Sequence, residues 1–88
     1  MEIEWDPDKA ASNLVKHGVS FDEAVSSLLD PMALAQEDED AEGEARWVLV
    51  GLSGEARLLT VVYTLRGDDR IRIISARKAT RTEARFYA

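Results

Sequence analysis

Apolar and polar residues recur at helical spacing near the start of the chain. Residues 7–17 are predicted to form a helix, because Asp6 can cap its N-terminus, Pro7 suits its first position and Gly18 can end it. Four apolar residues are expected to form its buried stripe: Ala10, Ala11, Leu14 and Val15.

A second helix is predicted immediately after the first. Ser20 and Glu23 have the spacing of a capping box, and the pair Asp30 and Pro31 ends the helical pattern. Its buried face is expected to comprise Phe21, Ala24, Val25, Leu28 and Leu29. The tight connection predicts a helix-turn-helix-like corner, but its exposed positions are mostly acidic or small and would meet DNA phosphates badly.

Strand-like patterns fill the second half of the chain. Residues 46–51, 57–64 and 70–77 are rich in Val, Ile, Leu and Tyr and are joined by short turns, which predicts an antiparallel meander. Residues 32–35 are a further candidate strand, and residues 3–5 are either a short edge strand or an anchor for the first helix.

A last capping box, formed by Thr80 and Glu83, predicts a helix that runs to the C-terminus. The elements together predict one α+β domain spanning residues 1–88. We expect two N-terminal helices on one face of a twisted antiparallel sheet and a short C-terminal helix.

The charges are divided between the two halves of the chain, whose formal net charge is -6. Residues 1–44 hold 13 acids and 2 bases, whereas residues 45–88 hold 9 bases and 4 acids. Seven of these bases follow residue 65: Arg66, Arg70, Arg72, Arg77, Lys78, Arg81 and Arg85. A basic stripe on an acidic protein suits a polyanion or an acidic partner protein. The alternative is a set of solvated strand and helix faces.

Composition excludes several classes of function. The chain has no cysteine, which excludes disulfides, thiolate catalysis and cysteine-based zinc sites and favours a cytoplasmic setting. Its acidic N-terminus lacks a signal-peptide core, and no apolar run approaches the roughly 20 residues of a membrane span. No cofactor is expected.

The acidic run of residues 37–44 is predicted to be a solvated loop. Asp38, Asp40, Glu42 and Gly43 imitate the start of a calcium-binding loop. The position that requires a bidentate glutamate is Leu49, so we do not expect calcium or any other metal.

Two blocks of sequence are similar to one known family. Residues 5–21, with Trp5 and Asp6 at the start, resemble the opening of the BrnT family of bacterial toxins, and residues 70–80 resemble its closing signature. The match continues at Asp30, Pro31, Arg46, Trp47, Gly51, Glu83 and Tyr87. The chain departs from the expected basic character of such toxins by its overall acidity and by Ala84 and Phe86 in the last helix.

The resemblance implies a RelE-like fold and the toxin half of a type II toxin–antitoxin system. Such a toxin is expected to be an endoribonuclease that cleaves mRNA, arrests growth and is neutralised by a cognate, BrnA-like antitoxin. DNA would be bound only through the antitoxin complex, and the assembly would be a homodimer or a toxin–antitoxin heterotetramer.

Three residues are candidates for the chemistry, which we expect to be metal-independent and to leave a 2′,3′-cyclic phosphate. Arg77 would stabilise the phosphorane, because a guanidinium matches phosphate oxygens in pairs. His17 is the one side chain whose ordinary pKa suits proton transfer near neutrality. Tyr87 would donate to the phosphate or stack on a base. The alternatives are a salt bridge for Arg77, a helix cap for His17 and helix packing for Tyr87.

Six further basic residues are predicted to contact RNA: Lys16, Arg46, Arg70, Arg72, Lys78 and Arg81. A different class of function remains open at this point, a non-catalytic binding module that acts as co-repressor with its antitoxin at promoter DNA. The ribonuclease and the binding module are distinguished by whether His17, Arg77 and Tyr87 converge on one cleft.

Overall fold

The computed structural model describes residues 1–39 and 43–87, in which three helices and five strands form an α+β fold. In chain order the elements are β1 (Glu2–Glu4), α1 (Pro7–His17), α2 (Phe21–Leu28), β2 (Leu34–Asp38), β3 (Arg46–Leu52), β4 (Leu58–Arg66), β5 (Arg70–Lys78) and α3 (Arg81–Tyr87). Helix α2 lies across β3, β4 and β5, helix α1 lies along β5, and α3 contacts β3.

The five strands form one sheet in the order β1-β5-β4-β3-β2. Strands β3, β4 and β5 make the predicted antiparallel meander. The prediction of a wholly antiparallel sheet is wrong, because β1 pairs in parallel with β5 and makes the sheet mixed. A parallel pair needs a crossover connection, and the long chain segment between β1 and β5 supplies it.

Strand β2 starts and ends later than predicted. It runs from Leu34 to Asp38 rather than over residues 32–35, with Leu34 opposite Val50 and Asp38 opposite Arg46. Glu37 and Asp38 therefore belong to a strand, and the prediction of a loop was wrong for these two residues. Pairing with the apolar strand β3 outweighs the low strand propensity of the acids. Asp40 and Glu42 of the rejected calcium loop lie outside the described residues.

Helix α1 has the predicted ends but a different buried face. The Asp6 carboxylate accepts the Asp8 N–H at 2.8 Å, and Gly18 ends the helix at φ 69°. The predicted apolar stripe is right only in part: Ala10 packs against the core, but Leu14 is 51% exposed and Val15 is 90% exposed, whereas Asn13 is buried.

Asn13 is buried because its side chain completes the edge of β5. Its Nδ2 donates to the carbonyl oxygens of Ala76 at 2.8 Å and Val19 at 2.9 Å, and its Oδ1 accepts the Ala76 N–H at 3.1 Å. Strand β1 pairs only with residues 70–72, so the backbone at Ala76 has no neighbouring strand on that side. The amide takes the place of that strand, since buried backbone groups need partners.

The core lies between α2 and the sheet. Its fully buried cluster consists of Val19, Phe21, Ala24, Leu59, Val61, Ile73 and Ala76. Leu29, which was expected in this core, is exposed because α2 ends at Leu28. Gly51 allows α2 to approach β3, because a Cβ there would lie 2.5 Å from the Ser27 carbonyl oxygen.

Glu23 joins α2 to the hairpin between β3 and β4. The Ser20 hydroxyl accepts the Glu23 N–H as predicted, but the Glu23 carboxylate turns to Arg57, whose Nε donates to it at 2.7 Å. The Ser53 hydroxyl donates to the same carboxylate at 2.8 Å. The Arg57 guanidinium lowers the pKa of the buried Glu23 to about 2.

Replacing Asn13 by alanine should leave one N–H and two carbonyl groups of the backbone without their partner. Unsatisfied buried groups of this kind cost about 1–3 kcal/mol each, so we expect the free energy of unfolding to fall by at least about 2 kcal/mol. Urea denaturation of Asn13→Ala measures this loss. The exposed neighbour is the control, and Ser12→Ala should change stability by less than about 0.5 kcal/mol. Equal stability of the two variants would contradict the role of Asn13.

The Glu23–Arg57 pair predicts a pH dependence of stability. Folding lowers the pKa of Glu23 from 4.5 to about 2, so its ionised form stabilises the fold by on the order of 3 kcal/mol above pH 4.5. This contribution is lost as the pH falls from 4.5 to about 2. The uncharged variant Glu23→Gln should therefore be less stable than wild type at pH 7 and equally stable near pH 2. Unfolding curves that stay equally far apart at both pH values would refute this assignment.

Candidate functional site

The sheet face opposite the core carries the candidate chemistry. Side chains alternate along a strand, so Thr60 of β4 and Arg77 of β5, which pair with each other, point away from the core residues Val61 and Ala76. We call this side the outer face. Helix α3 packs on it, and the Thr60 hydroxyl donates to Oε1 of Glu83 at 2.9 Å.

Arg77 and Glu83 form a two-pronged ion pair on the outer face. Nη1 and Nη2 of Arg77 donate to Oε1 and Oε2 of Glu83 at 2.7 and 2.8 Å. Glu83 also closes the predicted capping box: its Oε1 accepts the Thr80 N–H at 2.8 Å, and the Thr80 hydroxyl accepts the Glu83 N–H at 3.1 Å. The carboxylate thereby fixes both the start of α3 and the plane of the guanidinium.

The ion pair fixes the protonation states of Glu83 and Arg77 and therefore the chemistry open to them. Arg77 lowers the pKa of Glu83 to about 2, and Glu83 raises the pKa of Arg77. Glu83 is therefore ionised at neutral pH and has no proton to give to a leaving group. The Arg77 side chain is 38% exposed, and its Nε–H has no partner among the described residues. The guanidinium can therefore still donate to a phosphate.

His17 lies in the last turn of α1, beside the edge of β5. It lines a shallow depression of about 310 Å³ together with Asp8, Lys9, Ser12, Asn13, Lys16, Ile74 and Ser75. Ser75 lies two residues before Arg77 on the same strand, which is a separation of about 7 Å in an extended chain. Neither Arg77 nor Tyr87 lines this depression.

Tyr87 holds the end of α3 against the turn after α2. Its hydroxyl donates to Oδ2 of Asp30 at 2.6 Å, and this bond raises the pKa of Tyr87 and lowers that of Asp30. The Asp30 carboxylate also accepts the N–H groups of Leu52 and Met32. The structure thus gives Arg77, Tyr87 and His17 separate surroundings and does not place them around one depression. The shared cleft that would favour a ribonuclease over a binding module is therefore not formed by these three residues, and the proton carrier and the guanidinium lie apart.

Strand β1 neutralises part of the predicted basic stripe. Arg72 donates to Glu4 at 2.7 Å, and Arg70 lies within 3.4 Å of Glu2 and 3.2 Å of Glu4. Parallel pairing places these acids directly opposite the bases, with Glu2 beside Arg70 and Glu4 beside Arg72. The two arginines are consequently less available to RNA than their spacing in the sequence suggested.

The remaining predicted RNA contacts are not neutralised by β1. Among the described residues, Lys16, Lys78 and Arg81 form no ion pair, and Arg46 is exposed at the start of β3. Glu83 is the site residue whose role was missed, since it was expected only to cap α3. Its spacing from Arg77 was visible in the sequence, but the bidentate contact depends on how α3 turns back over the sheet.

The described part of the chain contains no group of three or more His, Asp or Glu residues suited to a metal ion. Within the same residues, no helix is both long and apolar enough to cross a membrane.

Comparison with known proteins identifies the family. Residues 5–83 match the family model described as the ribonuclease toxin BrnT of type II toxin–antitoxin systems. The crystal structure of the Brucella abortus ribonuclease toxin BrnT is similar, with 23% identity and a TM-score of 0.64 over 92% of this chain and 99% of that one, which shows a shared fold. No curated protein matches. The family match covers most of the sequence, and the chain therefore belongs to the BrnT family of type II ribonuclease toxins.

Proposed function

We propose that this protein is a metal-independent endoribonuclease that cleaves mRNA and leaves a 2′,3′-cyclic phosphate. The observation that carries the proposal is the Arg77–Glu83 pair, which presents an oriented and partly exposed guanidinium on the outer face. The proposal includes the RelE-like fold class, which the family resemblance implies, a cytoplasmic setting, which the absence of cysteine favours, and neutralisation by a cognate antitoxin.

In this proposal Arg77 stabilises the charge that develops on the phosphorane. An oriented donor is effective because it needs no rearrangement at the moment of reaction, and Glu83 supplies that orientation. Glu83 also cancels much of the net charge of Arg77. Directed hydrogen bonding by the free N–H groups is therefore the main contribution of Arg77.

His17 and Tyr87 have less direct roles in this scheme. His17 is the proposed proton carrier, and an RNA strand that follows β5 from Arg77 past Ser75 would reach its depression. The Tyr87 hydroxyl is engaged by Asp30, so contact with RNA would require it to exchange that partner. Lys16, Arg46, Lys78 and Arg81 are proposed to hold RNA phosphates, with a smaller share for the neutralised Arg70 and Arg72.

Removing the guanidinium tests the proposal directly. Arg77→Ala should reduce cleavage of a purified mRNA by about 100-fold or more, as does the loss of one preorganised donor. Arg77→Lys should restore little, because an ammonium cannot reproduce the two-pronged contact. Arg66→Ala, which removes a surface arginine paired with Glu44, is the matched control and should cleave like wild type. Melting temperatures separate lost chemistry from lost folding.

Two results would contradict this assignment. Near wild-type cleavage by a well-folded Arg77→Ala variant would exclude Arg77 from the site. An inactive wild-type chain would make the ribonuclease proposal itself wrong and would favour the binding-module alternative.

Chelation tests metal independence. Cleavage in excess EDTA should equal cleavage without it, because the proposed chemistry uses only side-chain donors and proton carriers. Loss of cleavage in EDTA, restored by a divalent cation, would contradict the proposal. The acids of residues 37–44 would then be the first place to look for ligands.

A further inference from the structure

We propose that an acidic amphipathic segment of the cognate antitoxin docks in the groove between α3 and strands β2 and β3. The inference rests on the proposed function, since it explains how the partner would block the outer face. It assigns a surface to the antitoxin and a chemistry to the segment that binds there.

The groove is apolar and open. It has a volume of about 340 Å³ and is lined by Leu34, Ala35, Gln36, Val48, Val50, Glu83 and Phe86. Phe86 is 70% exposed and Leu34 is 47% exposed, so two large apolar side chains stand at an unfilled site. Exposed Leu52 and Met32 lie nearby, because both donate their N–H groups to the Asp30 carboxylate that also holds Tyr87. A contiguous exposed apolar surface of this kind marks an interaction site.

Unpaired charges on α3 and at the end of β5, outside the lining of the groove, indicate the partner's chemistry. Four arginines of the basic stripe are neutralised within the chain, by Glu44 for Arg66, by Glu2 and Glu4 for Arg70 and Arg72, and by Glu83 for Arg77. The three remaining bases have no ion pair among the described residues: Lys78, Arg81 and Arg85. Arg81 and Arg85 are one helical turn apart on α3, the helix that carries Phe86.

A protein segment matches the apolar groove and the arginines of α3 better than RNA does. Apolar side chains would fill the groove against Leu34, Val50 and Phe86, while carboxylates would pair with Arg81 and Arg85. RNA would satisfy the arginines and could stack one base on Phe86, but it has no side chains to fill an apolar groove. The combination of unpaired cations and apolar groove therefore matches an acidic amphipathic segment.

Occupation of the groove would also inhibit the enzyme. Glu83 lines the groove and holds Arg77 in place. A segment seated there would cover this pair and the adjoining outer face, so the bound antitoxin would exclude the scissile phosphate from Arg77.

The test measures antitoxin binding and RNA cleavage separately. The probe is the antitoxin produced by co-expression of the native gene pair and separated from this chain in denaturant. Phe86→Ser should weaken its binding by about 30-fold or more, as expected for an aromatic anchor, while cleavage of RNA by the free variant stays at the wild-type rate. Phe86→Leu should retain most of the affinity. Val15→Ser removes an even more exposed apolar side chain on α1 and should bind like wild type.

A second variant tests the charges. Replacing Arg81 and Arg85 with glutamate should slow association with the antitoxin more strongly at low salt than at high salt. Unchanged antitoxin affinity in Phe86→Ser would overturn the docking proposal, as would a charge-reversed variant that loses RNA binding but keeps the antitoxin. An inactive wild-type chain would refute the ribonuclease proposal alone, because the affinities decide the docking site independently.

Discussion

The arrangement of the first half of the chain depends on the hydrogen bonds of the buried Asn13 amide. This amide replaces a missing strand at the edge of β5 and also holds Val19, the residue that leads into α2. Helix α1 must therefore present a polar residue to the sheet, and this rotation turns Leu14 and Val15 to solvent. The same rotation puts Lys16 and His17 beside Ser75, so a stabilising hydrogen bond also sets where two candidate RNA contacts lie.

Ion pairing within the chain redistributes the charges that the protein can offer to a ligand. The acidic first half supplies Glu2, Glu4 and Glu44 to arginines of the sheet, and Glu23 to the hairpin arginine Arg57. Exposed pairs of this type add little stability, whereas the buried Glu23–Arg57 pair is costly to break. The larger effect of these ion pairs is on recognition. Among the described residues, the bases of the stripe that remain without an ion pair are Lys78, at the end of β5, and Arg81 and Arg85, on α3.

Helix α3 links folding to the proposed chemistry. Only seven residues long, it is held at one end by Glu83, which bonds to Thr60, Thr80 and Arg77, and at the other by the Tyr87–Asp30 hydrogen bond. Such a short helix is not stable alone and depends on these contacts. The contact that anchors its N-terminus is also the one that orients Arg77, so any partner that moves α3 would change the site as well.

The sequence by itself determined the features that depend on neighbours in the chain. The caps at Asp6, Gly18, Ser20 and Thr80 and the three long strands follow from interactions over a few residues, and the two signature blocks were enough to recognise the family. Tertiary structure decided the parallel pairing of β1, the burial of Asn13 in place of Leu14 and the partners of Arg70, Arg72 and Arg77. A three-residue strand carries no signal of its direction, and an amide or a guanidinium can bond equally well to water. Their partners are chosen only when segments up to 68 residues apart, such as Glu4 and Arg72, meet in the folded chain.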